Sequence, residues 1–319
     1  MNRIPPTAAD RLRGRPGSIR GMTGIACLLL LGLCAAPAAT SAEPLAYFIV
    51  PTTDGSELWR LDLASLSWVT IGPLGLPDSA VTALAFTADG RLYGGDYAEG
   101  GRLLTIDPAT GAATVVGGFG LPEPQATILY LTGDACGRLW AAARVGIPGA
   151  GFRDVMLAIN PSTGAAIEIV ELGPGTPVGG LAAQGETIYA LHDQALSTFD
   201  PAAGSFAPIG DTGIQRFDGF AFDAAGTLWG VTNPIVGPGT PPPAPIYHLD
   251  LQTGEAQFVT FNPIPVVGFA IAAPNGACDS GPAREIPTVS PLGLALLALG
   301  LAAAAVWHSR TRGSRPGAD

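Results

Sequence analysis

The sequence predicts an all-β fold, a β-propeller of five four-stranded blades, on three observations. A turn phrase recurs as Asp107-Pro-Ala-Thr-Gly111, Asn160-Pro-Ser-Thr-Gly164, Asp200-Pro-Ala-Ala-Gly204 and Asp250-Leu-Gln-Thr-Gly254, with a degenerate copy at Asp62. A Gly-led strand ending in an aromatic recurs beside it, as Asp89-Gly-Arg-Leu-Tyr93, Gly137-Arg-Leu-Trp140, Gly185-Glu-Thr-Ile-Tyr189 and Gly226-Thr-Leu-Trp229. The copies repeat at roughly forty to fifty residues, the period of a propeller blade.

Residues 1–42 read as a secretory signal peptide. Arg3, Arg11, Arg13, Arg15 and Arg20 precede an apolar run through Cys27 and Cys34, and small residues lead to Ala42. A basic leader, a short apolar core and a small-residue exit make an export signal, not a fold element.

The propeller body follows at 43–283 and opens on a second strand, Ala46–Val50. Each later repeat starts with an inner strand such as Val81–Phe86 or Phe217–Phe222, then an aromatic strand, a third strand such as Leu103–Ile106, and a fourth delivered by the turn phrase. Alternation and β-branched content suit short strands. In the phrase the Asp or Asn side chain accepts from backbone N–H groups, Pro sets φ, and the final Gly supplies a left-handed residue without steric cost. That structural role accounts for the phrase, so its aspartates need no catalytic reading. The body ends on a first strand, Val266–Ile271, which would complete the blade begun at Ala46 and close the ring. Five aromatic positions, from Tyr47 to Trp229, set the blade count; a sixth blade in the Pro-rich stretches and an open array are the alternatives.

The last segment, 284–319, holds a charge-free span from Ile286 to Trp307 before His308, Arg310, Arg312 and Arg315. It predicts a transmembrane helix over about 291–307 with a cytoplasmic basic end, which leaves the propeller outside. Ile286, Pro287, Thr288, Ser290 and Gly293 resemble the bacterial IPTL-CTERM sorting signals, with Val289 and Leu292 departing from the pattern. The resemblance implies an exosortase-type processing enzyme as a partner; without processing the helix is a permanent membrane anchor.

Between Glu43 and Ala283 the chain carries 7 arginines against 23 acidic residues, a net charge of −16. Such a body repels phosphate backbones, so nucleic acid is a poor partner. Two of the four cysteines leave with the leader, and the remaining pair, Cys136 and Cys278, is a predicted disulfide on the face opposite the variable loops.

Loop variation over a constant scaffold places recognition on the variable face. Its candidate ligand-binding residues are Asp78, Asp96, Glu99, Asp154, Arg216 and Asp218. Catalytic signals are weak: the body's two histidines, His192 and His248, lack metal-ligand spacing, and Asp218 is the only acid assigned to an inner strand. The Asp-x-x-Thr-Gly phrase resembles quinoprotein-like propellers, but Thr114, Ala166, Phe206 and Gln257 stand where those carry tryptophan, so the resemblance implies the fold and not the quinone. The favoured reading is an exported, surface-anchored module that binds a protein or glycan, with no cofactor. The alternative is an exported lactonase- or glycosidase-type hydrolase that uses loop carboxylates and Ca²⁺.

Overall fold

The computed structural model describes residues 44–272 and Cys278, apart from 54, 78, 98–99, 122–125, 148, 150, 173–176, 234–242 and 263–265. The described residues belong to one unit. The chain first lays down β1 (Leu45–Thr52), β2 (Gly55–Asp62) and β3 (Ser67–Pro73). Blade two follows as β4 (Val81–Phe86), β5 (Leu92–Asp96), β6 (Arg102–Ile106) and β7 (Ala113–Gly118). Blade three is β8 (Ala126–Gly133), β9 (Leu139–Ile147), β10 (Gly151–Ile159) and β11 (Ala166–Glu171). Blade four is β12 (Val178–Gln184), β13 (Thr187–His192), β14 (Ala195–Asp200) and β15 (Ser205–Asp211). Blade five is β16 (Gly219–Phe222), β17 (Leu228–Val231), β18 (Ala244–Leu249) and β19 (Ala256–Asn262), and β20 (Val267–Ile271) is the last strand.

These strands form five antiparallel four-stranded sheets, and the fifth sheet mixes the two ends of the body in the order β20-β1-β2-β3. The closing strand pairs Phe269 with Phe48 and Ile271 with Ala46, as the sequence predicts. Blade one is thus shared between the ends, so unzipping from either end breaks a full strand pairing.

Five hydrophobic clusters fill the five seams between neighbouring blades. Each contains a repeat aromatic: Tyr93, Trp229, Tyr47 and Trp140 are buried there, and Tyr189 packs at the edge of its cluster. Where that aromatic is Trp, the residue six positions earlier is Asp. Trp140 Nε1 donates to Asp134 Oδ2 at 3.1 Å, and Trp229 Nε1 donates to Asp223 Oδ2 at 2.8 Å. At the Tyr93 copy the same position is Thr87, because a phenol side chain brings no indole N–H to satisfy. A hydrogen bond to a charged acceptor contributes about 1.5–3 kcal/mol, so the Asp and the Trp belong to one structural unit.

The turn phrase behaves as its chemistry predicts. Asp107 Oδ1 accepts from the Ala109 N–H at 2.9 Å, Asn160 Oδ1 from Ser162 at 2.9 Å, and Asp250 Oδ1 from Gln252 at 2.7 Å. It also clasps the preceding blade. The Thr and Gly of the phrase lie backbone-to-backbone on a glycine of the neighbouring fourth strand, in the pairs Gly111 on Gly72, Gly164 on Gly117 and Gly254 on Gly210. A methyl at Gly210 would drive into the Thr253 carbonyl oxygen. Just beyond each contact a backbone bond crosses the seam, from Ala113 N to Leu74 O at 2.9 Å, from Ala166 N to Phe119 O at 2.9 Å and from Ala256 N to Thr212 O at 3.3 Å. Between blades three and four, Gly204 instead meets the Val170 side chain, and the facing phrase, Asp200-Pro-Ala-Ala-Gly204, lacks the Thr. In the degenerate copy Leu66 takes the left-handed position, at φ 57°, where the others have Gly.

Cys136 and Cys278 are joined by a disulfide across 142 residues of sequence. It ties the segment after β20 to the β8–β9 turn, two blades away, on the face opposite the variable loops. The segments expected to be a signal peptide and a transmembrane helix, and the expected sorting residues Ile286, Pro287, Thr288, Ser290 and Gly293, lie outside the described residues.

Candidate functional site

The connections from second to third strands and from blade to blade emerge on one face, and they carry the sequence variation. The central channel beneath this face is closed by its own inner strands. Leu84, Phe86, Leu131, Phe220, Phe222 and Phe269 crowd it, and two small cavities among the inner strands measure about 20 and 10 Å³.

Of the residues expected there, Asp78 and Glu99 lie outside the described residues. Asp96 is corrected from loop acid to buried scaffold. It ends β5, is fully buried, accepts from the Ala80 N–H at 2.7 Å and pairs with Arg102 Nε at 2.7 Å. Burying that carboxylate requires these partners, which leaves it to hold the hairpin. Asp154 likewise belongs to a strand. The β9–β10 hairpin extends further than the sequence suggests and places Arg144 opposite Asp154, where the guanidinium makes two bonds of 2.9 and 3.2 Å to the carboxylate. That bond raises the Arg144 pKa further above its ordinary value.

Asp218 precedes β16 and does not sit within the inner strand as expected. One of its oxygens pairs with Arg216 Nη2 at 2.6 Å, and the other accepts from the Asn233 N–H. Asn233 in turn bonds both the N–H and the carbonyl of Val266, next to the closing strand. Asp218 thereby anchors the seam between blades five and one at the channel mouth. Tyr130, buried nearby, donates its hydroxyl to the Phe217 carbonyl at 2.9 Å. Burial first, and the Asp218 carboxylate second, push the Tyr130 phenol well above its usual pKa, so it remains a neutral donor. Asp154, Arg216 and Asp218 lie on the loop face, and Tyr130 escapes sequence reasoning because a tyrosine in an inner strand reads as core.

Beside this mouth the loop face holds a cleft of about 320 Å³. Val178, Gly179 and Leu191 form its floor, the Asp193-Gln194 turn one wall, and Gln215-Arg216 the other. The walls are tied together by Thr212, whose N–H and hydroxyl both lie 3.0 Å from the Gln194 carbonyl. A larger concavity, about 460 Å³, opens between the turns of blade two on the opposite face, but repeat residues such as Gly90, Asp107 and Pro108 line it. Its composition is that of the scaffold.

Among the described residues, a cluster with metal-ligand geometry brings together Cys136, Glu186 and Cys278, and the disulfide consumes both sulfurs. Of the expected loop acids that are described, Asp96, Asp154 and Asp218 engage arginine or backbone donors as set out above.

No protein-family model matches this chain, and no curated protein matches it. Similar solved structures include TolB from Acinetobacter baumannii, with a TM-score of 0.43 and 14% identity over 68% of this chain and 53% of that one. The chain therefore spans about half of the TolB structure. A luciferin-regenerating enzyme is similar with a TM-score of 0.43 and 15% identity, over 71% of this chain and 74% of that one. A protein of unknown function from Bacteroides caccae gives a TM-score of 0.41 and 9% identity, over 72% of this chain and 99% of its own. The five-blade assignment rests on this chain's own strand pairing, and no activity is carried over from these structures.

Proposed function

We propose that this protein is an exported propeller, held at the cell envelope through its C-terminal segment, that works as a binding module through its variable loop face. The observation that carries the reading is the asymmetry of the two faces. One face repeats the same turn chemistry from blade to blade, whereas the other departs from it and contains the cleft beside Arg216. The export leader and the IPTL-CTERM-like tail support an envelope location, with the tail as substrate for an exosortase-type enzyme. The strongly acidic body suits a soluble extracellular domain. Among the described candidates Asp96, Asp154 and Asp218 are each committed to a structural partner, which favours the binding reading over a hydrolase that needs two uncommitted carboxylates.

Capture of envelope components by the full-length chain tests the reading. Gln215→Trp, on the loop face, is expected to abolish capture that Gln252→Trp, on the opposite face, leaves intact. Equal capture by both variants would refute a loop-face module.

A further inference from the structure

We propose that the cleft between the Asp193-Gln194 turn and Gln215-Arg216 is a saccharide subsite that takes a uronic-acid residue of a polysaccharide. This rests on the loop-face reading above and narrows it to one ligand class.

The first observation is conformational. Among the described residues, positive φ belongs almost wholly to glycine; the exceptions are Leu66, Asp193 at 49° and Gln194 at 68°. A hairpin turn with both central residues left-handed is ordinarily built from Asn-Gly or Gly-Gly. Here two side chains occupy it, and both line the cleft. Residues kept in a disfavoured backbone region point to a role for their side chains.

The second observation is rigidity. Thr212 is buried and bonds the Gln194 carbonyl through both N–H and hydroxyl, while the Phe217 N–H bonds the Gly179 carbonyl at 2.9 Å, so both walls and the floor are fixed before any ligand arrives. A preformed site loses less entropy on binding.

Chemistry then selects the ligand. The Asp193 carboxylate and the amides of Gln194 and Gln215 offer acceptors and donors suited to vicinal hydroxyls, beside the exposed Pro177 ring, which suits the C–H face of a sugar. Arg216 is half exposed and gives one nitrogen to Asp218, which leaves further N–H groups for a carboxylate. Arg216 is the one cation among the lining residues, and at contact distance its bidentate bond to a sugar carboxylate outweighs the repulsion from Asp193 and the acidic body, which favours a uronate residue over a neutral sugar or a densely charged phosphate chain. An extended peptide fits less well, because strand addition needs a row of unpaired backbone groups, whereas Val178 pairs with His192 and the Gly179 carbonyl is taken.

The test uses the full-length chain in detergent and calorimetric titration with oligogalacturonate, oligomannuronate, a neutral galacto-oligosaccharide and an extended decapeptide. A uronate is expected to bind at least tenfold more tightly than the neutral sugar. Asp193→Gly and Gln194→Gly are expected to weaken it tenfold or more while Tm holds or rises by about 2–4 °C, since glycine relieves the turn. Arg216→Gln should erase the preference for the acidic sugar. The proposal is overturned if neither uronate binds, if only the decapeptide binds, if the glycine variants bind as the parent does, or if they lower Tm. Silence from both uronates with envelope capture still blocked by Gln215→Trp would overturn the sugar assignment alone. Silence together with unblocked capture would remove the loop-face reading as well.

Discussion

Removing the Cys136–Cys278 disulfide should cost more than any other single change to the body. The bridge closes a span of 142 residues. For a loop of that length the chain-entropy relation gives about 5 kcal/mol at 25 °C, because the unfolded chain regains the freedom the link had removed. Strand closure by β20 does not offset the loss, since that pairing exists only in the folded state. A domain of this size shifts its Tm by about 2–4 °C per kcal/mol, so the double variant Cys136→Ser, Cys278→Ser should melt about 10–20 °C lower. Total stabilities of about 5–15 kcal/mol leave it folded but close to the margin. Scanning calorimetry of the parent, of the parent with reductant and of the double variant is the assay, and the last two should coincide. A loss below about 1 kcal/mol, or no response to reductant, would refute the reasoning.

The other predictions concern the repeat and its seams. Leu66→Gly should stabilise the body by about 0.5–1 kcal/mol in urea unfolding, because the left-handed residue loses its side-chain strain and the exposed leucine has little burial to give up. Gly210→Ala should destabilise by about 1–3 kcal/mol in the same assay, because its methyl meets the Thr253 backbone and not a side chain that can move aside. His248 carries a buried Nε2 without a hydrogen-bond partner and stacks edge-on against Trp229 at 4.0 Å. Burial holds its pKa below the ordinary 6.5, partly opposed by Asp223. As pH falls below 6.5 the unfolded chain takes up the proton first, so the folded state loses stability until the pH reaches the lowered folded pKa. The stability difference between His248→Phe and the parent should therefore move in favour of the variant between pH 6.5 and 5, and a pH-independent difference would count against a buried neutral imidazole.

Much of the fold was legible in the sequence because each blade is a local unit. Asp-Pro-x-Thr-Gly fixes its own hairpin through bonds spanning two to four residues, and the half-blades at Ala46 and Val266 were visible as a missing first strand and a surplus one. The seams were not legible. Gly72, Gly117 and Gly210 read in isolation as weak points in strands, and only the facing phrase of the next blade explains them. The two seams that lack the strand glycine, between blades three and four and between blades five and one, also lack the phrase's Thr, a coupling within the repeat that the sequence does contain. Asp96 and Asp154 read as loop acids for a related reason: an acid near a strand end looks solvated until its arginine is seen opposite it, as Arg102 and Arg144 are. The cleft left one faint signal, a two-residue turn between His192 and Ala195 without glycine.

Site-specific photo-crosslinking in intact cells tests the central claim most directly: the repeat is scaffold, and the loop face is where this protein meets its ligand. A photoreactive residue at Gln194 or Gln215 on one face, and at Ala109 or Gln252 on the other, samples both without disturbing the seams. Adducts from the first pair and none from the second are expected. Adducts confined to Ala109 and Gln252 would contradict the account and make the repeated turns themselves the binding surface.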